Sequence, residues 1–132
     1  MGRPSSLPVH PRDLALTELK KHTKPMSAYD LLAKLEPHGV KGAPVVYRAL
    51  DNLIKTGVVH KIKELNAFIA CNCKPDHAHS LSVLTVCQDC EKVEELHDHG
   101  VIHQLEGLRK KGVRLIEHAV IELPITCPVC AI

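Results

Sequence analysis

Two Cys-x2-Cys pairs, Cys87 with Cys90 and Cys127 with Cys130, bracket the C-terminal part of this chain and limit what it can fold into. Each short pair spans one edge of a tetrahedron. Two pairs complete an all-thiolate shell around a single zinc ion, leaving no open position for chemistry. Such an ion is a structural staple worth about 10–16 kcal/mol at neutral pH, which rivals the about 5–15 kcal/mol stability of a whole domain. The pairs are separated by 36 residues (91–126), more than the about 15–20 of a compact zinc ribbon, so a folded unit must fit between them. Two other readings of the same cysteines fit less well. A thioredoxin-like redox site at Cys127-Pro128-Val129-Cys130 needs one pair at a helix start after a strand. A zinc deaminase needs a His-x-Glu element, which His118-Ala119-Val120 does not supply.

Only Tyr29, Tyr47 and Phe68 are aromatic, so with 45% hydrophobic residues the core is expected to be aliphatic. No apolar run near the start is flanked like a signal peptide, and no stretch approaches the about 20 residues of a membrane helix. A cytoplasmic chain with no membrane partner is the expectation, and six cysteines in a reducing compartment argue for metal ligation rather than disulfides. Charge is unevenly spread. Up to residue 62 there are ten Lys/Arg against five Asp/Glu (10 − 5 = +5), and beyond it seven against ten (7 − 10 = −3). The N-terminal half is therefore the one suited to a polyanion, although a basic helical face is often only solvated. So few aromatics disfavour a single-strand binder that stacks bases.

Residues 1–10 show no periodicity and read as a disordered lead-in. A first helix, Pro11 to Lys21, carries Leu14, Ala15 and Leu19 on one stripe. Ser27 caps a second helix with Leu31, Leu32 and Leu35 inward and Asp30 three residues after the cap. Pro44 suits the first turn of a third, whose Val46, Leu50, Leu53 and Ile54 recur at helical spacing until Gly57. The period then becomes strand-like over Val58–Ile62 and Ala67–Cys71, joined by a turn around Glu64–Asn66. Three short helices followed by a hairpin is the order of a winged helix-turn-helix, whose last helix enters the major groove. A small helical unit with a stabilising hairpin and no role on DNA has the same order.

Residues 80–132 predict strands at 81–87, 92–96 and 113–123, with an amphipathic helix carrying Val101, Ile102, Leu105 and Leu108 and stopping at Gly112. The fold class is thus α+β: an N-terminal winged helix-turn-helix (11–72), a hinge (73–79) and a small α/β dimerisation domain (80–132) with a four-cysteine structural zinc site. So small a sheet leaves an edge and an apolar face that favour dimerisation. Seven of the ten histidines, His60, His77, His79, His97, His99, His103 and His118, gather from residue 60 onward, near Cys71 and Cys73. Imidazole with thiolate prefers zinc over iron(II) or manganese(II).

Ala43-Pro44-Val45-Val46-Tyr47-Arg48-Ala49-Leu50, Gly57-Val58-Val59-His60-Lys61-Ile62, Asn66-Ala67-Phe68-Ile69-Ala70-Cys71, Cys87-Gln88-Asp89-Cys90-Glu91-Lys92-Val93-Glu94-Glu95 and Cys127-Pro128-Val129-Cys130, in that order, resemble the ferric-uptake-regulator family of metal-sensing repressors. Ser27-Ala28-Tyr29-Asp30-Leu31-Leu32 and the His60 to Cys71 interval resemble its zinc-uptake-regulator branch. The resemblance implies a cytoplasmic homodimer that, when zinc-loaded, binds double-stranded operator DNA and represses zinc-uptake genes. It implies two zinc ions per subunit, the structural one and a regulatory one held by His60, Cys71, His79 and Glu95. It also points to Tyr47 and Arg48 as DNA-reading residues on the third helix, with Lys41 and Lys55 as phosphate partners.

Several positions depart from the family pattern. No further helix precedes Leu14, and of a basic patch only Pro11-Arg12 remains, from which a weaker hold on DNA is expected. Val45 stands where the family often has Thr. One extra residue between His79 and Cys87 makes His77 a competing ligand, and His118 is a candidate for an additional metal site with Asp98, His99 or His103. The alternative within the family is an iron or peroxide sensor, for which a His/Asp-rich site without Cys71 is expected. From another class, the alternative is a small cytosolic zinc or redox enzyme using Cys127 and Cys130. No enzymatic activity is expected of the preferred reading.

Overall fold

The computed structural model describes residues 10–71 and 81–132. The expected disordered lead-in, the hinge, and His77 and His79 lie largely or wholly outside the described residues. Helix α1 (Pro11–Lys20) starts with Pro11 in its first turn and the His10 ring accepting the Arg12 N–H. Helix α2 (Ala28–Leu35) starts at Ser27, whose Oγ accepts the Asp30 N–H at 3.1 Å and so satisfies one of the amides a helix start leaves unpaired. Helix α3 (Ala43–Lys55) has Pro44 in its first turn and ends ahead of Gly57, whose φ of 80° suits a residue without a Cβ. These helices bury Ala15, Leu19, Leu31, Leu35, Val46, Leu50 and Leu53 in one aliphatic core, closed by Val59 and Phe68 of the following hairpin.

That hairpin pairs β1 (Val59–Ile62) with β2 (Ala67–Ala70) antiparallel, with Lys61 opposite Phe68 and His60 opposite Ile69. Alternation along a strand splits its side chains. Val59 and Phe68 turn to the helices, while Ile62 and Ile69 pack on the second sheet with Leu84, Val86, Val93 and Val120. Both faces of the hairpin are thus in use. The chain reverses over 63–66, where Asn66 takes a φ of 48°.

The second sheet has the order β4-β3-β5, with β3 (Leu81–Cys87) central, β4 (Val93–Leu96) antiparallel to it and β5 (Ala119–Ile125) parallel to it. Parallel neighbours need a crossover. Here it runs through β4, α4 (His99–Glu106) and a 3-10 turn over Gly107–Lys111 that stops at Gly112. The last strand differs from expectation: it begins at Ala119 rather than 113, because His118 adopts a left-handed φ of 57° that breaks the extended run. Val113 and Leu115 consequently lie outside it. Helix α4 carries Val101, Ile102 and Leu105 of the expected stripe, while Leu108 falls in the 3-10 turn that follows, and none of the helix's residues is buried within the one chain. Among the described residues no helix is long and apolar enough to cross a membrane.

Candidate metal centres and nucleic-acid interface

Parallel pairing in the register Cys87 opposite Ile125 brings the ends of β3 and β5 together, so Cys87 and Cys127 leave the sheet at one corner. Each Cys-x2-Cys then folds into a tight turn closed on its first cysteine, Glu91 N–H to the Cys87 carbonyl (3.0 Å) and Ala131 N–H to that of Cys127 (2.9 Å). Glu91 takes a left-handed φ of 63° to make the turn. The four sulfurs lie within 4.8 Å of one another, with Cys90 Sγ 3.8 Å from Cys127 Sγ. A zinc ion about 2.3 Å from each sulfur would set neighbouring sulfurs about 3.8 Å apart. The residues fit the ion.

The sulfurs differ in how tightly they hold a proton. The Cys127 N–H donates to Cys87 Sγ at 3.4 Å, and with further help from the amides of Cys90 and Asp89 it holds the Cys87 thiol down at about 6. Cys130 is pushed up to about 12, first by its hydrogen bond to the Cys127 sulfur and then by burial. One sulfur is thus poised as a thiolate while another keeps its proton until a metal displaces it.

A second group forms where the hairpin meets the second sheet. His60 Nε2 lies 3.0 Å from Glu95 Oε1, and Cys71 Sγ lies 3.7 and 3.9 Å from the two Glu95 oxygens. All three ligand atoms fall within 4.8 Å of one another. Strand alternation puts His60 on the face shared with Ile62, and the Cys71 N–H continues the hairpin by donating to the Val58 carbonyl at 2.8 Å. Glu95 sits opposite Leu84 on the sheet face against which the hairpin packs. Side chains of His60 and Glu95 are 5% and 7% exposed, so a carboxylate and an imidazole are held together away from water. Two ligand atoms about 2.0 Å from a tetrahedral zinc stand about 3.3 Å apart, so imidazole, carboxylate and thiolate at these distances fit zinc. Cys71 departs from the expectation of reduced cysteines: its sulfur is disulfide-bonded, so ligation requires the reduced thiolate.

The remaining candidates are more scattered. His79, expected as a fourth ligand, and His77, its competitor, lie outside the described residues. His118 joins neither group of ligand atoms found among the described residues; its ring instead covers Gly57 at the end of α3. Asp98, a candidate partner for it, caps α4 by accepting the Val101 N–H at 3.0 Å. On α3, Tyr47 is 37% exposed and Arg48 is exposed, its Nε donating back to the Pro44 carbonyl at 3.5 Å. Lys41 and Lys55 are exposed at the two ends of the same helix. Glu122, not among the residues the sequence marks out, accepts the amides of Lys63 and Glu64 in the hairpin turn at 2.6 and 3.1 Å.

The fold joins a winged-helix unit to a second sheet through a hairpin, and metal-ligand side chains converge where the two meet. The ferric uptake regulator family model matches residues 9–122, and the chain belongs to that family. It is 36% identical over 106 residues to the zinc uptake regulation protein of Escherichia coli (strain K12), a match that spans 80% of this chain but 61% of that relative's length. Among solved structures, holo XcZur superposes with a TM-score of 0.75 at 32% identity, over 97% of this chain and 89% of that one. A zinc uptake regulator complexed with zinc and DNA superposes with a TM-score of 0.78 at 31% identity, over 93% and 82%.

Proposed function

We propose that this chain is a zinc-responsive DNA-binding repressor of zinc-uptake genes, working in the cytoplasm as a homodimer with two zinc ions per subunit. The observation that carries the proposal is the convergence of His60, Cys71 and Glu95 from two separate units of the fold. Ligands drawn from both units are satisfied together in only one mutual orientation, so the ion acts as a conformational ligand for that arrangement. By linkage, DNA bound to the same arrangement tightens zinc. A near-complete switch between two states takes about 5.5 kcal/mol of differential affinity, and two regulatory ions per dimer share that requirement. The four-cysteine ion does not sense: a site that never empties reports nothing.

The proposed division of labour runs from a DNA-binding domain over 11–72, through a hinge at 73–79, to a dimerisation domain over 80–132. Arg48 and Tyr47 meet base edges in the major groove, Lys41 and Lys55 meet phosphates, and His79 completes the regulatory tetrahedron. The kinship with a regulator solved with zinc and DNA supports this assignment, as does the thiolate at Cys71, which suits zinc over iron(II). The family's members are regulators and not enzymes, and no catalytic step is assigned here. The test is metal content and DNA binding of reduced protein, titrated against free zinc on the promoter of a zinc-uptake operon. His60→Ala should keep one zinc per subunit and a folded dimer while its DNA binding stops responding to zinc. A variant that responds as the parent does would overturn the assignment.

A further inference from the structure

On the sheet face that receives the hairpin, Glu95, Leu84 and Glu122 form one row, because Leu84 pairs with Glu95 on β4 and with Glu122 on β5. Both carboxylates meet the same hairpin. Glu95 takes His60 at the start of β1, and Glu122 takes the Lys63 and Glu64 amides just past its end, one on each oxygen. Between those points Ile62, fully buried, packs on Leu84 and Val86. Gln88 Nε2 adds a bond to Glu64 Oε2 at 3.4 Å. A body held at one point still pivots about it. A second point, across the width of the sheet, fixes its angle.

We propose that Glu122 is a positioning residue for zinc sensing: a metal-independent latch on the hairpin turn that sets the angle at which the regulatory zinc site closes. This role rests on the zinc-sensing function proposed above. Amide donors to an ionised carboxylate are stronger than neutral pairs, and the turn places two of them side by side at the only group in β5 able to accept both. The latch adds no ligand to the metal. It raises the population of the arrangement in which His60, Cys71 and Glu95 are together, and apparent zinc affinity scales with that population.

The test uses the full-length, reduced dimer. Glu122→Gln preserves size but leaves one oxygen for two amides; Glu122→Asp keeps the charge and shortens the reach. Zinc affinity of the regulatory site is measured by competition with a chromophoric chelator, and exchange of the 63–66 amides by hydrogen–deuterium mass spectrometry. Both variants should keep the four-cysteine zinc and the parent's dimer mass, bind the regulatory zinc about tenfold more weakly, and exchange the turn amides faster. A merely structural role would lower thermal stability without moving the affinity of one site relative to the other. Unchanged regulatory affinity, or unchanged exchange in the turn, in either variant that folds overturns the latch. His60→Ala is run beside them. If it holds as much zinc as the parent, the sensing site itself is wrong; if it loses one ion while Glu122→Gln behaves like the parent, only the latch is wrong.

Discussion

Gly57 is the place where a single added carbon tests how the two units sit on each other. A Cβ at that position would lie 2.6 Å from Cε1 and 2.7 Å from Nδ1 of His118, and the backbone there has a φ of 80°. Gly57→Ala therefore carries two separable costs. The left-handed backbone alone penalises an L residue by about 1–2 kcal/mol. The overlap adds a second cost, since ordinary carbon contacts begin near about 3.5 Å and the His118 ring must swing away. Truncating the ring in His118→Ala removes the overlap and leaves the backbone cost, so the double variant isolates the contact. Residues in direct contact typically couple by about 0.5–3 kcal/mol, and because the overlapping atoms belong to the end of a side chain that can rotate, the expectation is the low end, about 0.5–1 kcal/mol. The assay is urea unfolding at fixed protein concentration and fixed free zinc, followed by circular dichroism, with equal m-values required across the four proteins. A coupling below about 0.3 kcal/mol, the level of independent sites, would refute the packing of His118 on Gly57, just past the end of α3.

Two further outcomes concern the thiolate cluster. Cys87→Ser should release the structural zinc and dissolve the second sheet with the proposed dimer, because an ion of this kind supplies about 10–16 kcal/mol; sedimentation and metal analysis read this, and a zinc-free folded dimer would contradict it. Proton release on zinc binding should also report the Cys87 environment. That thiol, held down at about 6, is already ionised at neutral pH, whereas Cys130, up at about 12, always yields a proton to the metal. Lowering the pH through 6 should raise the protons released per zinc by about one and steepen the loss of affinity, as measured by calorimetry in buffers of different ionisation enthalpy. A step near 9 instead would show that the Cys127 amide does not reach the sulfur.

Much of the architecture is legible in the sequence because its cues are local. Ser27, Pro44 and Gly57 mark helix ends by hydrogen-bonding and backbone requirements that act within a few residues. The strand period likewise sends Val59 and Ile62 to opposite faces of the hairpin. The tetrathiolate cluster is legible from spacing alone. The late start of β5 is not, because Val113 and Leu115 alternate like strand residues while His118 imposes the break through a backbone angle that histidine rarely advertises. Family resemblance, not spacing, links Glu95 to His60, since their bond spans two units of the fold. Glu122 is the least visible: between Ile121 and Leu123 it reads as an ordinary solvent-facing acid, and its partners are backbone amides, which leave no trace in side-chain identity.

Only Thr56, Gly57 and Val58 lie between α3 and β1, so the helix proposed to face DNA has almost no slack relative to the hairpin. With 13 residues at about 1.5 Å each, α3 is a pointer roughly 20 Å long. A swing of about 10° at its root would sweep its tip by about 3 Å, close to the roughly 3.4 Å step from one base to the next. Small rotations at the sheet are thereby geared up to the scale of a register shift in the groove.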